Sequence, residues 1–208
     1  MNLPNKLTVS RFAMTAAFLW AVMARSPLND TLALLLFCVA SLTDMLDGQI
    51  ARKRGLITTF GILMDPLADK ILTCSAFIAL VERNMITPPP VLFQLGSYLG
   101  RPKVEAWMVV IIVARELAIT GLRLVAASKN VVLAAERYGK HKTISQMVAI
   151  IALLVLDANR EWWLPLQQLF SPWLPWFAWA ALWVTVALTA ASGMIYLWRN
   201  RALYLDDL

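Results

Sequence analysis

The chain has 208 residues, of which 60% are hydrophobic and 15% charged. Soluble domains carry about 45–50% apolar and about 25% charged residues, so both figures exclude an ordinary soluble domain and point to a membrane protein. The net charge is +6, but the basic residues stand at the ends of apolar segments, which favours anionic headgroups or anionic substrates over nucleic acid.

The length suits roughly six membrane spans of about 20 residues each and leaves no room for a separate soluble domain. Apolar patterning predicts helices at about 7–25, 30–52, 66–86, 104–127, 142–158 and 173–198. The first ends near Arg25-Ser26-Pro27; it lacks a small-residue cleavage site and is read as a span, not a signal peptide. The second follows Asn29 and Asp30, both suitable N-caps. The third opens at Pro66, a residue favoured in the first helical turn. Pro88-Pro89-Pro90 and Gly100-Arg101-Pro102 bound a loop before the fourth, and Pro165, Pro172 and Pro175 mark the loop before the sixth. The expected fold is all-α: one polytopic domain, residues 1–208, of six transmembrane helices.

Lys and Arg set the orientation. With the N-terminus in the cytoplasm, Lys6, Arg11, Arg52, Lys53, Arg54, Lys70, Arg123, Lys129, Arg137, Lys140, Lys142, Arg199 and Arg201 fall on or near that side. Arg25, Arg83, Arg101, Lys103 and Arg160 fall outside, and an even number of spans returns the C-terminus to the cytoplasm. Trp162, Trp163, Trp173 and Trp176 then form an outer aromatic belt. Cys38 and Cys74 both lie in apolar segments and read as small core residues.

Thirteen acidic residues are present, and four of them cluster. Asp44 and Asp47 are spaced i, i+3, and Asp65 and Asp69 i, i+4, so each pair shares a helix face. The intervening segment from Lys53 to Met64 is short, holds Gly55 and Gly61, and can bring the two helix ends together near the cytoplasmic interface. Carboxylates within spans are costly and functional by default. Four together need neutralising, and oxygen ligands suit a hard cation, Mg²⁺ or Mn²⁺, two ions fitting in-line displacement at phosphorus. The plainer alternative pairs these acids with Arg52, Lys53, Arg54 and Lys70 as solvated helix-end charges. Gly48 and Ala51 permit close approach of a ligand or a helix, and Arg52 could clamp a diphosphate.

Read together, Asp44-x₂-Asp47-Gly48-x₂-Ala51-Arg52-x₈-Gly61-x₃-Asp65-x₃-Asp69 resembles the signature of the CDP-alcohol phosphotransferase family. Further runs are similar to one branch, whose members transfer a phosphatidyl group from CDP-diacylglycerol to glycerol 3-phosphate. These are Asn2-Leu3-Pro4-Asn5-Lys6-Leu7-Thr8 with Arg11, Met64-Asp65-Pro66-Leu67-Ala68-Asp69-Lys70, Ala114-Arg115-Glu116 with Thr120 and Arg123, and Gly139-Lys140-His141-Lys142-Thr143 with Gln146. Cardiolipin synthases of the family look similar in places. The resemblance implies that Asp44, Asp47, Asp65 and Asp69 hold the metals, with Asp69 also the general base. It implies that Asp44, Asp47, Gly48, Ala51 and Arg52 bind CDP-diacylglycerol. It further implies a homodimer in a bacterial cell membrane.

Glycerol 3-phosphate is a small dianion and calls for a basic pocket. Glu116, Thr120 and Arg123 lie on one helical stripe. Arg115 stands about 80° from Arg123 on an ideal helix, so both can border one cavity. Lys140 and Lys142 open the fifth span and can reach the same phosphate, or serve as cytoplasmic anchors. His141 reads as an interfacial side chain.

Three rivals remain: a family member with another acceptor alcohol, an intramembrane prenyltransferase, and a cation transporter. The prenyltransferase usually needs Asp-rich motifs in separate halves of the chain. The transporter needs matching acids deep in other spans, where Glu116 is the one further candidate.

Overall fold

The computed structural model describes residues 3–24, 28–54, 59–86, 103–129 and 138–201. Every regular element among them is an α-helix: α1 (Leu3–Met23), α2 (Asn29–Arg54), α3 (Thr59–Ile86), α4 (Ala106–Ser128), α5 (Tyr138–Ala158), α6 (Leu164–Phe170) and α7 (Leu174–Arg199). Six correspond to the six expected apolar segments. The short α6 is an addition, with Pro at its start in the position where a missing N–H costs nothing.

Two expectations are corrected. Helix α3 begins at Thr59, seven residues before Pro66, so Pro66 lies inside the helix and not in its first turn. Proline's φ suits a helix, but in a helix interior the residue gives up one backbone hydrogen bond and its ring crowds the carbonyl four residues earlier. Asn29 and Asp30 do not cap α2 as expected. The Asn29 side chain donates to the Ala24 carbonyl (2.8 Å), and Asp30 pairs with Arg83. The cap comes from far along the chain. Glu161 accepts from the backbone N–H groups of Asp30 (3.0 Å) and Thr31 (2.9 Å) and from the Thr31 hydroxyl (2.7 Å). Trp162 donates its indole N–H to the same hydroxyl (3.1 Å), and Arg83 also faces Asp157 at 3.6 Å. The start of α2, the end of α3 and the end of α5 are thereby tied together.

The core runs through α1, α2, α3, α4, α5 and α7. Phe18, Phe37, Phe77, Ile112, Ile150, Leu154 and Leu182 are fully buried, and the Phe18 and Phe37 rings meet at 5.5 Å. Ala21, Ala33, Ala76, Ala149, Ala158 and Ala178 are each 0% exposed, and small side chains at such positions let helices approach closely. Trp107 at the start of α4 packs on Trp183 in the first half of α7, and Arg123 meets Tyr196 further along both, so these two helices run parallel. Thr185 of α7 donates to the Ser145 carbonyl of α5 (2.8 Å).

Among the described residues, α4 and α7 expose large apolar side chains. Val110, Leu117 and Leu124 on α4 and Trp176, Trp179, Trp183 and Leu188 on α7 are exposed, whereas Glu116, Lys142, Gln146, Thr185 and Thr189 are buried. Among the described residues, α7 is the one helix long and apolar enough to cross a membrane.

The Glu161 cap yields a pH prediction. Partial burial opposes its ionisation, but the hydrogen bonds from Thr31 and Asp30 and the charge of Arg83 outweigh it, holding the carboxyl below its ordinary value. A depressed folded-state pKa stabilises above the unfolded carboxyl's pKa, about 4.3, and that gain is lost as pH falls through the folded value. Glu161→Gln should therefore lower the thermal midpoint at neutral pH by the equivalent of roughly 1 kcal/mol, the usual worth of a helix cap. The gap from wild type should close on acidification; a gap independent of pH would contradict the assignment.

Candidate functional site

Helix α4 carries Glu116 on its inner face, 7% exposed. An ionised carboxylate buried this deeply needs cations and donors around it, and three helices supply them. Lys142 of α5, 4% exposed, forms an ion pair with Glu116 Oε1. Gln146, one turn further along α5, donates to the same oxygen (3.3 Å). Lys70 of α3 stands 3.8 Å from Oε2 and donates to the Thr120 hydroxyl. That hydroxyl donates to the Glu116 carbonyl (2.8 Å), so one turn of α4 holds both the acid and a second contact for Lys70. Arg115 places its guanidinium 3.4 Å from Oε1.

In their charged forms, three cations from the described residues surround the Glu116 carboxylate. Lys and Arg donors of this kind also match a phosphate.

Arg115 and Lys142, two of the expected acceptor-binding residues, are thus brought together. Arg123 faces a different partner: it is exposed, its Nε donates to the Tyr196 hydroxyl (3.4 Å), and its guanidinium lies 5.8 Å from that ring. Lys140 lies in the first turn of α5, and its side chain falls outside the described residues. The same holds for Asp44, Asp47, Gly48, Ala51 and Arg52, placed within α2, and for Asp65 and Asp69, placed within α3. Both aspartate pairs stand on continuous helix, so the i, i+3 and i, i+4 spacings put each pair on one face. Residues 55–58 alone join the two helices. Among the described residues no group of three or more metal-ligating side chains occurs. Donors made only of carboxylates on two joined helices fit a hard divalent cation.

Sequence reasoning missed Lys70 as a member of the basic cluster, setting it beside the aspartates. Its contact crosses from α3 to α4, and no local spacing reports that.

The chain matches the CDP-alcohol phosphatidyltransferase family model over residues 1–195. It is similar to a protein of Bacillus subtilis (strain 168) named CDP-diacylglycerol--glycerol-3-phosphate 3-phosphatidyltransferase, 38% identical over 96% of this chain and 95% of that one. A protein of the same name from Rickettsia bellii (strain RML369-C) is 33% identical over 94% of this chain and 93% of its own. A cardiolipin synthase (CMP-forming) of Oryza sativa subsp. japonica is 31% identical over 81% of this chain and 49% of its own.

Glu116→Gln should leave Lys142, Lys70 and Arg115 facing one another and lower stability by about 3 kcal/mol or more, as when one partner of a buried ion pair is removed. Adding Lys142→Met should recover part of that loss. Thermal unfolding in detergent measures both, and additive losses would show that the two side chains are not coupled.

Proposed function

Because the chain belongs to the CDP-alcohol phosphatidyltransferase family, we propose that it transfers the phosphatidyl group from CDP-diacylglycerol to glycerol 3-phosphate, giving phosphatidylglycerophosphate and CMP. The observation that carries the choice of acceptor is the basic cluster at Glu116. Three cationic side chains from three helices suit a phosphate monoester dianion, whereas the phosphodiester of phosphatidylglycerol bears a single charge. The full-length relatives that bear the glycerol-3-phosphate name support the same reading.

The enzyme is read as a multi-pass membrane protein, α1–α5 and α7 crossing the bilayer with both termini cytoplasmic. The apolar exposed faces and the Lys/Arg asymmetry support this. Asp44, Asp47, Asp65 and Asp69 would hold Mg²⁺ or Mn²⁺, as a pair of ions, with Gly48, Ala51 and Arg52 against the CDP moiety. Bound there, divalent metal would neutralise the diphosphate and stabilise the charge that develops on it.

Arg115 and Lys142, with Lys140 and Arg123 at the margins, hold the acceptor's phosphate and aim its sn-1 hydroxyl. That oxygen attacks the phosphorus bearing diacylglycerol. A new P–O bond forms, the bond from that phosphorus to the bridging diphosphate oxygen breaks, and CMP leaves with the electron pair. The hydroxyl proton passes to the Asp69 carboxylate, which lies next in sequence to Lys70 of the basic cluster. Placing the acceptor beside the donor supplies much of the rate by proximity.

Purified protein in detergent, given CDP-diacylglycerol and divalent metal, should release CMP only when glycerol 3-phosphate is added. Asp65→Ala and Asp69→Asn should abolish release. Arg115→Ala should raise the KM for glycerol 3-phosphate by about 10–100-fold, the worth of a charge-assisted hydrogen bond, with little change for the liponucleotide. Release that depends instead on phosphatidylglycerol would keep the transfer chemistry and discard this acceptor.

A further inference from the structure

Helix α7 lays a buried stripe against the core, including Leu182, Thr185, Val186, Thr189, Gly193 and Tyr196. Gly193 is unusual there, because glycine is a poorer helix former than alanine and contributes no packing surface. What faces it is the Arg115 side chain of α4. A Cβ at position 193 would stand 2.8 Å from Arg115 Cγ, 3.6 Å from its Cβ and 4.0 Å from its Cδ. The stem of the arginine therefore lies across the bare backbone of Gly193. The only other glycine whose surroundings are described, Gly121 on α4, has nothing within 4 Å of such a Cβ.

The near end of the side chain is what touches. Arg115 Cγ is fixed by the first side-chain torsion, and a helix leaves that torsion few allowed values. The stem cannot step aside by a few tenths of an ångström at its tip; it must change rotamer. A change of rotamer swings the guanidinium away from Glu116, 3.4 Å from which it now rests.

We propose that Gly193 is a positioning residue for acceptor binding: the notch it leaves in α7 seats the stem of Arg115 and so aims the guanidinium into the basic cluster where the acceptor's phosphate docks. The proposal rests on the reading of Arg115 as a phosphate ligand. It explains why a helix-weakening residue stands within a buried stripe, and it makes α7, which contributes no charged group to the cluster among the described residues, a determinant of acceptor affinity.

The test is a double-variant cycle on the full-length enzyme, with KM measured separately for glycerol 3-phosphate and CDP-diacylglycerol. Gly193→Ala should raise the KM for glycerol 3-phosphate by about tenfold and leave that for CDP-diacylglycerol unchanged, the split expected when one substrate's contact is lost. In the Arg115→Ala background, which has no Cγ to displace, Gly193→Ala should change nothing further. Gly121→Ala should behave as wild type. Equal rises for both substrates, or a further rise in the Arg115→Ala background, would make Gly193 a general packing residue and overturn the proposal. If Gly193→Ala does not fold, the double variant should fold; failure of both overturns it. An unchanged KM in Arg115→Ala would remove Arg115 from phosphate binding and this inference with it. A raised KM in Arg115→Ala with none in Gly193→Ala would sink the inference alone.

Discussion

The buried carboxylate of Glu116 is the contact on which the arrangement of α3, α4 and α5 depends. Lys70, Lys142 and Arg115 could not crowd together in a low-dielectric interior without it, and it could not stay ionised without them. The four charges come from three helices, so each helix is held in register by the others. The cations gathered there, two Lys and one Arg, are also the donors that bind phosphate.

At the other end of the bundle Asp30, Asp157 and Glu161 gather around Arg83, and Glu161 also accepts from the N–H groups at the N-terminus of α2, where a negative charge is favoured. Both ends bury polar side chains while neighbouring helix faces expose large apolar ones.

Much of this was legible in the sequence. Long apolar segments located six helices, because burial and length dominate that signal. Arg115 and Glu116 stood out because charged residues in apolar helices demand a reason, Lys142 because it opens the fifth apolar segment, and Thr120 and Gln146 through the family-like runs. Three features were not legible. Pro66 gave the wrong start for α3, since the preference of proline for a helix's first turn does not bar it from a helix interior, where it costs a hydrogen bond and a steric clash. Asn29 and Asp30 had the right chemistry for a cap, but Glu161, distant in the chain, outcompeted them. Lys70 and Gly193 act across helix interfaces, and only packing reveals what each touches. The aspartate signature was the clearest sequence feature of all, and its side chains fall outside the described residues.

The most direct measurement is equilibrium binding of glycerol 3-phosphate to the purified protein without the liponucleotide, compared with glycerol, for wild type and Lys142→Ala. The account predicts binding that requires the phosphate, weakens with salt, and drops by about tenfold or more in the variant, as for loss of a charge-assisted contact. Binding unaffected by Lys142→Ala, or equal for glycerol, would contradict the claim that the Glu116 cluster receives the acceptor's phosphate.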